Sequence, residues 1–407
     1  MTPPSLAGRQ KYLGKKGLII LITLLSAFIP LSTDLYLPSL PGMALYFNAS
    51  AYLVNLTLIL FFVFFGLGTL LWGPFSDKYG RKPVLLIGLS TYSAASIACA
   101  VSGDIYHLIA FRILQAIGGS SAFAVATAMI KDVYDSKRRE PILAMVQSMV
   151  LISPAVAPVF GAFLLKFMSW RGVFWTLTLI GLLALGGSIA LKETIDKRYA
   201  GSVLKVLGGL YTVVRNPDFS FLLALFSVPS VCSMAFIAAS AYIYMNGFDL
   251  SAQAYSYYFS VNAIGFISGP ILYLRVSRKF TRRSIIIACF AMFLASGLLI
   301  SFLGGFQPWI LTLVILPTTI CGSCMRTPGV NLMLEQQREN TGSAAGLISC
   351  FGIFMGSMGM MIISLDWNNT ILVLGMMNIL TGLVCGGLWL RISQKPYVMQ
   401  VPERYSV

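Results

Sequence analysis

The sequence predicts an all-α integral membrane protein with twelve transmembrane helices arranged as two six-helix bundles. The observations behind this prediction are an apolar composition, a series of membrane-length apolar segments and an internal repeat. Hydrophobic residues make up 57% of the 407 residues and charged residues only 11%, whereas soluble domains carry about 25% charged residues. The composition therefore excludes an ordinary soluble domain.

Twelve apolar segments are long enough to cross a bilayer, which takes about 20 helical residues. Each should be an α-helix, because backbone polar groups in lipid must be satisfied within the segment. The first segment lacks a small-residue cleavage site and is interpreted as a retained helix. The predicted spans are residues 17–38, 52–74, 83–102, 105–130, 141–165, 172–191, 219–245, 252–274, 284–304, 308–333, 342–363 and 369–390.

The basic residues indicate the orientation of the chain. A net charge of +15 could suggest nucleic acid binding, but the basic residues form short clusters between apolar segments. This pattern is typical of cytoplasmic loops facing anionic lipid, so we expect membrane lipids and no nucleic acid as partners. With a cytoplasmic amino terminus, all basic residues except Arg112, Lys166, Arg171 and Arg326 lie on the cytoplasmic side. Both termini are therefore predicted to be cytoplasmic.

A repeat divides the chain into two halves. The segment Ser76–Pro83 resembles Ser277–Ser284, 201 residues further on, and both follow the second span of their half. Parallel repeats of a six-helix unit require this placement. A mixed-charge connection with a predicted amphipathic helix at Val203–Val214 lies between the halves. The predicted domains are residues 1–192, a cytoplasmic linker at 193–218, and residues 219–407.

Two charged residues lie within predicted spans of the first half. An Asp near the centre of a spanning helix costs about 2.5–3.5 kcal/mol on insertion scales, so such residues usually mark an ion or substrate path. The first helix is expected to end near Met43 and the fourth to begin near Asp104. At 1.5 Å per residue, Asp34 then lies ~13 Å from the outer end of the first helix and Arg112 ~12 Å from the same face. The two side chains are therefore expected at similar depth.

Three motifs in the first half are specific. Residues 73–82 match the loop motif G-x-x-x-D-x-x-G-R-K, and residues 112–118 match a fourth-helix motif except that Ala116 replaces a glycine. Residues 33–41, TDLYLPSLP, add a third match. With these motifs the chain resembles the major facilitator superfamily and, within it, the drug:proton antiporters of the Bcr/CflA type. The similarity covers nearly the whole chain.

This resemblance implies a major facilitator fold and a secondary active transporter in the bacterial inner membrane. Such a protein exports lipophilic drugs or antibiotics, such as phenicol- or bicyclomycin-like compounds, in exchange for protons by alternating access. The resemblance also makes Asp34 and Arg112 neighbours in a central cavity, where Asp34 would carry the proton and pair with Arg112 in turn. The alternative is a permanent buried ion pair that only fixes packing.

Further site residues follow from the same resemblance. The gating loop comprises Gly73, Asp77, Gly80, Arg81 and Lys82, with Arg81 and Lys82 at headgroup level. The matching second-half loop has Arg278 and Thr281 in place of the acid and the glycine, so only the first half should carry a complete gate. The antiporter motif of the fifth helix is represented by Pro154, Pro158 and Gly161. Its prolines should bend the helix and its glycine should permit close packing.

Polar and aromatic residues within the spans are candidates for substrate contact. A largely apolar pocket with a few polar groups suits lipophilic compounds. Each candidate could instead form a packing hydrogen bond between helices. The candidates are Tyr36, Asn55, Gln115, Gln147, Tyr242 and Asn262.

Other functions are less consistent with the sequence. A proton-coupled importer of a small nutrient differs only in the direction of flux. An intramembrane enzyme needs a nucleophile with a base, and a receptor or scaffold would leave the loop motif without a purpose. We expect a monomer that is not an enzyme and has no cofactor or metal. Cys321 and Cys324 have metal-site spacing but lack a nearby histidine, and His107 is expected at the membrane interface.

Overall fold

The computed structural model describes residues 10, 12–134, 136–195, 198–199, 201, 203–337 and 341–399. Within these ranges the chain is all-α, and no strand is present. The helices are α1 (Gly14–Ser26), α2 (Phe28–Asp34), α3 (Leu40–Phe47), α4 (Ala51–Tyr79), α5 (Arg81–Val101), α6 (Ile105–Val133), α7 (Ser136–Leu164), α8 (Trp170–Ala190), α9 (Val203–Val214), α10 (Pro217–Tyr242), α11 (Ala252–Val276), α12 (Arg282–Leu303), α13 (Pro308–Glu335), α14 (Thr341–Ile363), α15 (Thr370–Ile392) and α16 (Pro396–Met399).

The helices account for all twelve predicted spans. Eleven helices of the described chain are long and apolar enough to cross a membrane, and the bent series α1 to α3 forms a twelfth span. The all-α membrane fold is thus confirmed. The amphipathic helix predicted at Val203–Val214 is α9, with the same bounds.

The first span differs most from its prediction, because it is broken and continues to Phe47, past the apolar segment that ends at residue 38 and past the outer end expected near Met43. Proline has no backbone N–H, so Pro30 leaves the Ser26 carbonyl without its helical donor and Pro38 does the same to Asp34. Accordingly α1 ends at Ser26 and α2 ends at Asp34. The two parts of the span meet at an angle of 45°.

The chain divides into two compact units, unit 1 (Met1–Val206) and unit 2 (Leu207–Val407). In unit 1, α6 packs against α4 and α5, while α5 also packs against α8. The broken first span packs against α6 and α7. The domain limits at residues 192 and 219 stay a prediction.

Unit 2 has its own helix pairs and its own core. The closest pairs are α12 with α15, α10 with α14 and α11 with α13, and α13 also packs against α12 and α10. Large buried side chains such as Phe219, Phe290 and Trp389 belong to one continuous hydrophobic cluster. The Trp389 Nε1 donates to the Arg283 carbonyl at 3.3 Å, which ties α15 to the start of α12.

Candidate functional site

Arg112 lies on α6 and its side chain is completely buried. Its Nη1 donates to the Gln115 Oε1 at 2.6 Å and to the Ser32 carbonyl at 3.2 Å. Its Nε donates to the Thr57 carbonyl at 3.4 Å. The Nη2 is buried and has no hydrogen-bond partner in the described structure. The guanidinium is thus held by neutral oxygens and keeps one free donor nitrogen.

Aromatic rings from α4, α8 and the break after α2 surround the same guanidinium. Its Cζ lies 4.2 Å from the ring centroid of Phe61, 4.8 Å from that of Tyr36 and 5.9 Å from that of Phe174. Ring faces carry partial negative charge and attract cations, more strongly where water is absent. The rings therefore supply part of the compensation that a carboxylate would otherwise give to a buried Arg.

A second layer of hydrogen bonds fixes the groups around Arg112. The Gln115 Nε2 donates to the Ser96 Oγ at 2.7 Å, so the amide presents its oxygen to the guanidinium. The hydroxyls of Tyr36 and Thr57 are 2.8 Å apart, which joins the first span to α4. The sequence prediction included Tyr36 and Gln115 but missed Ser96 and Thr57, because small hydroxyl residues in apolar helices carry no distinguishing pattern.

Asp34 is the last residue of α2 and is buried, with 6% of its surface exposed. Its Oδ1 accepts a hydrogen bond from the Thr33 Oγ1 at 3.1 Å. Among the described residues no ion pair joins Asp34 to Arg112. The direct pairing expected from the sequence is absent in this arrangement.

The break in the first span explains why Arg112 binds elsewhere. In a continuous helix the Ser32 carbonyl would accept from the Tyr36 N–H, but that N–H donates to the Thr33 carbonyl at 3.2 Å. The Ser32 carbonyl is thereby free and accepts from Arg112 instead. Carbonyls at a helix C-terminus carry partial negative charge, so a cation is favourable there. Arg112 thus compensates the broken end of α2.

The fifth-helix motif lies directly against this break. An ideal Cβ at Gly161 would overlap the backbone of Leu35, the residue after Asp34. Only a glycine lets α7 approach this closely. Pro154 and Pro158 lie within α7, which continues unbroken from Ser136 to Leu164. The role of the two prolines stays a prediction.

The predicted gating loop forms a compact polar cluster at the end of unit 1 where α4 ends and α5 begins. The Arg81 Nε donates to the Asp132 Oδ2 at 2.8 Å, and its Nη1 donates to the Ser76 Oγ at 2.6 Å. The same Nη1 lies 2.6 Å from the Asp77 Oδ1. Arg81 is therefore buried among these partners, which compensate its charge. Its position at headgroup level stays a prediction.

The sequence reasoning missed Glu193, which closes this cluster. Its Oε1 accepts from the Arg81 backbone N–H at 2.9 Å and its Oε2 accepts from the Lys82 N–H at 3.3 Å, so it caps α5. Gly80 has φ +108°, and a Cβ there would overlap the Glu193 carboxylate. The Lys82 Nζ donates to the Ile189 carbonyl at 2.7 Å. At Gly73, by contrast, a Cβ would meet no atom within 4 Å.

The remaining substrate-contact candidates are dispersed. Asn55 is buried on α4 in unit 1, and Tyr242 and Asn262 belong to unit 2. The side chain of Gln147 lies outside the described residues. An apolar cavity of about 290 Å³ lies on α4 and α6 of unit 1, and no predicted contact residue lines it.

The weaker sequence signals have local structural roles. Cys321 and Cys324 are free thiols, and no group of metal-binding side chains occurs in the part of the chain that the structure describes. His107 lies at the start of α6 and bonds to Asp104, the residue that caps this helix. This hydrogen bond holds the pKa of the exposed Asp104 carboxyl below its ordinary value.

Known proteins are similar to this chain in sequence. Residues 22–360 match the family model of the Major Facilitator Superfamily. The chain is 30% identical to an uncharacterized MFS-type transporter, YdgK, of Bacillus subtilis over 84% of this chain and 87% of that one. It is 27% identical to a chloramphenicol resistance protein of Pseudomonas aeruginosa over 90% of each chain. A bicyclomycin resistance protein homolog of Haemophilus influenzae is 25% identical, over 70% of this chain and 73% of that one.

Solved structures agree on the fold. The inward-open xylose transporter XylE from E. coli matches with a TM-score of 0.68 at 13% identity, covering 90% of this chain and 94% of that one. A structure of proton-dependent oligopeptide transporters matches with a TM-score of 0.70 at 13% identity, covering 95% and 99%. At such identities the likeness concerns the fold alone.

Proposed function

The chain belongs to the Major Facilitator Superfamily, and on that premise we propose that it exports lipophilic drugs or antibiotics in exchange for protons by alternating access. The relatives named for chloramphenicol, bicyclomycin and multidrug resistance support this substrate class. Phenicol- and bicyclomycin-like compounds are therefore the first substrates to test. A transporter of this kind is not an enzyme and needs no cofactor.

The observation that carries the proposal concerns two buried groups. The Asp34 carboxyl has no cation partner among the described residues. Arg112 binds the Ser32 carbonyl, two residues before Asp34, and keeps a free donor. A buried carboxylate without a partner is unfavourable, so this geometry suits the proton-bound form. When the proton leaves, the new charge attracts Arg112, whose Nη2 is available to pair with it. The pairing draws the guanidinium from the Ser32 carbonyl and so couples proton release to movement of the first span.

The energy of one proton is sufficient for export. Moving one charge through ~100 mV releases ~2.3 kcal/mol, and a pH difference of about one unit adds ~1.4 kcal/mol. At ~1.4 kcal/mol per tenfold, one proton supports a gradient of a neutral drug of a few hundredfold. Exchange of one proton for one neutral drug is therefore adequate.

Substrate binding is proposed to involve Tyr36 and Gln115, which contact Arg112, together with Asn55 and the apolar side chains around them. A drug that competes for these groups would displace the hydrogen bonds holding the guanidinium and favour proton release. Gln147, Tyr242 and Asn262 complete the proposed set of contacts.

The cluster around Arg81 is proposed to act as the gate, with Gly73, Asp77, Gly80 and Lys82 as its loop. Its buried hydrogen bonds give it a defined geometry that a conformational change has to break. Pro154, Pro158 and Gly161 are proposed to seal the seam between α7 and the first span.

The proposed location is the bacterial inner membrane, with both termini in the cytoplasm and the protein acting as a monomer among lipids. The concentration of basic residues at the Arg81 end of unit 1 supports this orientation. Labelling intact cells with a membrane-impermeant amine reagent tests it, because Lys166 should react and Lys82 should not.

The proposal is tested with Asp34→Asn, which keeps the size of the side chain and removes the titratable proton. In a pump-deficient bacterium, the wild-type protein should lower susceptibility to some compounds of a broad antibiotic panel, and Asp34→Asn should restore it. In everted vesicles, drug uptake driven by an imposed pH gradient should be lost in the same variant.

The matched control is Asp366→Asn, at an exposed acid between α14 and α15. It should leave both measurements unchanged. Retained efflux in Asp34→Asn with unaltered pH dependence would contradict the proton switch. Accumulation rather than depletion of substrate in cells with a proton gradient would favour an importer.

A further inference from the structure

A single charged side chain lies deep within the spans of unit 2. Among the described residues of α10–α15, every charged residue except Arg326 lies within two residues of a helix end or in a connection. Arg326 lies about nine residues before the last residue of α13, or ~13 Å along the helix axis. The proposed proton switch does not use this cation.

No protein group in the described structure compensates Arg326. Its side chain is exposed and makes no hydrogen bond, ion pair or ring contact. Glu335 is the nearest acid on the same helix, but nine residues at 100° each place it on the opposite face. Arg112 in unit 1, by contrast, is enclosed by oxygens and rings. Arg326 is therefore a cation without a built-in partner.

The neighbours of Arg326 on α13 show where its side chain projects. Three residues after it, a Cβ at Gly329 would overlap Phe226 of α10. Three residues before it, the side chain of Ser323 lies against Gly269 of α11. Because positions three apart flank one face of a helix, Arg326 projects between α10 and α11.

This face differs from the apolar exposed surface of α13. The helices α10 and α11 make few contacts with each other, so α13 forms the floor of a groove between them. The exposed apolar residues Trp309 and Leu313 project about 100° or more away from Arg326 around the helix. The cation is therefore not part of that apolar stripe.

We propose that Arg326 binds an anionic oxygen group, such as a carboxylate, of a lipophilic substrate in the groove between α10 and α11. A planar guanidinium with several free donors matches the two oxygens of a carboxylate. The inference rests on the proposed export function and extends its substrates to lipophilic organic acids. The phosphate of a lipid headgroup offers similar oxygens, so the experiment separates the two sources.

The experiment compares a radiolabelled lipophilic carboxylic acid with its primary amide in proteoliposomes at pH 7, where the acid is ionised. Uptake is driven by an imposed proton gradient. Arg326→Gln should lower uptake of the acid relative to the amide by about tenfold or more, the scale of a charge-assisted hydrogen bond. Arg326→Lys should keep part of the preference, because it keeps the charge and loses the planar fork.

The control is Arg391→Gln, at an exposed arginine in the last turn of α15, which should leave the ratio of acid to amide uptake unchanged. Each variant is first checked for an unaltered thermal unfolding midpoint, which is expected because Arg326 has no partner to lose. The comparison is run in phosphatidylcholine vesicles with and without phosphatidylglycerol.

An unchanged ratio of acid to amide uptake in Arg326→Gln overturns the inference. Equal loss for both compounds that depends on phosphatidylglycerol also overturns it, because Arg326 then serves a lipid phosphate. In either case the export proposal still stands if the wild type takes up the amide and Asp34→Asn abolishes that uptake. If the wild type transports neither compound nor any drug of the panel, both proposals fail.

Discussion

The two repeated loops connect equivalent helices but are stabilised in different ways. In unit 1, Gly80 alone separates α4 from α5. In unit 2, five residues separate α11 from α12, and the second helix begins at Arg282. The shared sequence pattern therefore marks the same topological position without fixing the same local structure.

The difference lies in how each second helix is capped. The Thr281 Oγ1 caps α12 by accepting from the Ser284 N–H at 3.3 Å, three residues away. Helix α5 is capped by Glu193, which is 112 residues from Arg81 in the chain. A local cap stabilises only its own helix, whereas a long-range cap couples distant segments. The unit 1 loop is thus tied to the end of the sixth span.

The largest expected effect is at Arg81, whose side chain is 5% exposed and bonds to Asp132, Asp77 and Ser76. Removing one partner of a buried ion pair leaves the other charges uncompensated. Arg81→Gln should therefore lower the free energy of unfolding by roughly 3 kcal/mol. Thermal and denaturant unfolding of the purified protein in detergent measures this change.

The exposed Arg283, in the first turn of α12 after the second loop, provides the control. Arg283→Gln should change the free energy of unfolding by less than about 0.5 kcal/mol, as exposed sites usually do. Similar losses in the two variants would contradict the contrast between a buried cluster and a solvated loop.

An intermediate effect is expected at Gly80, where φ is +108° and ψ is +156°. Such a conformation is essentially restricted to glycine, and a Cβ would also overlap the Glu193 carboxylate. Gly80→Ala should lower the free energy of unfolding by about 1–3 kcal/mol.

Gly73 belongs to the same motif but lies within α4, with open space where a Cβ would stand. Gly73→Ala should therefore raise the free energy of unfolding by about 0.5–1 kcal/mol, through the helix preference of alanine. The same unfolding measurement serves both variants. Destabilisation by Gly73→Ala would show that the motif glycines act together rather than through local geometry.

The sequence was sufficient for the positions of the helices. Long apolar segments bounded by charges predict spans, and the bounds of α9 and α14 follow closely from pattern alone. The first span was predicted too short, because its apolar segment ends at residue 38 and its outer end was expected near Met43, four residues before the observed end at Phe47. In the structure Pro38 lies in the break between α2 and α3, and Pro41 lies in the first turn of α3, so neither proline ends the span.

The long-range hydrogen-bond partners of the site residues could not be predicted from the sequence. Counting residues along two helices predicted that Asp34 and Arg112 lie at similar depth in the membrane. Depth alone does not determine which oxygen a guanidinium binds. The free Ser32 carbonyl depends on the break after Asp34, and sequence patterns do not show such competition. Glu193 likewise lies in a short polar segment after the sixth span, where nothing local indicates that it reaches α5.

The final pair of variants tests the two caps directly. Glu193→Gln keeps one acceptor oxygen but loses the charge and the second acceptor, and it should cost about 1–2 kcal/mol; Thr281→Ala should cost about 1 kcal/mol. Hydrogen exchange distinguishes the two losses better than total stability. Glu193→Gln should speed exchange at the Arg81 and Lys82 N–H groups and also at Thr194 and Ile195, whose N–H groups bond to the same carboxylate.

Thr281→Ala should speed exchange only around Ser284, because this cap bonds within its own helix. A loss of about 1–2 kcal/mol corresponds to roughly five- to thirtyfold faster local exchange. If Glu193→Gln altered exchange only at Thr194 and Ile195, and not at Arg81 and Lys82, the long-range tie would not exist in solution. The cap of α5 in unit 1 would then be as local as the cap of α12 in unit 2, and the proposed gate would have no tie to the end of the sixth span.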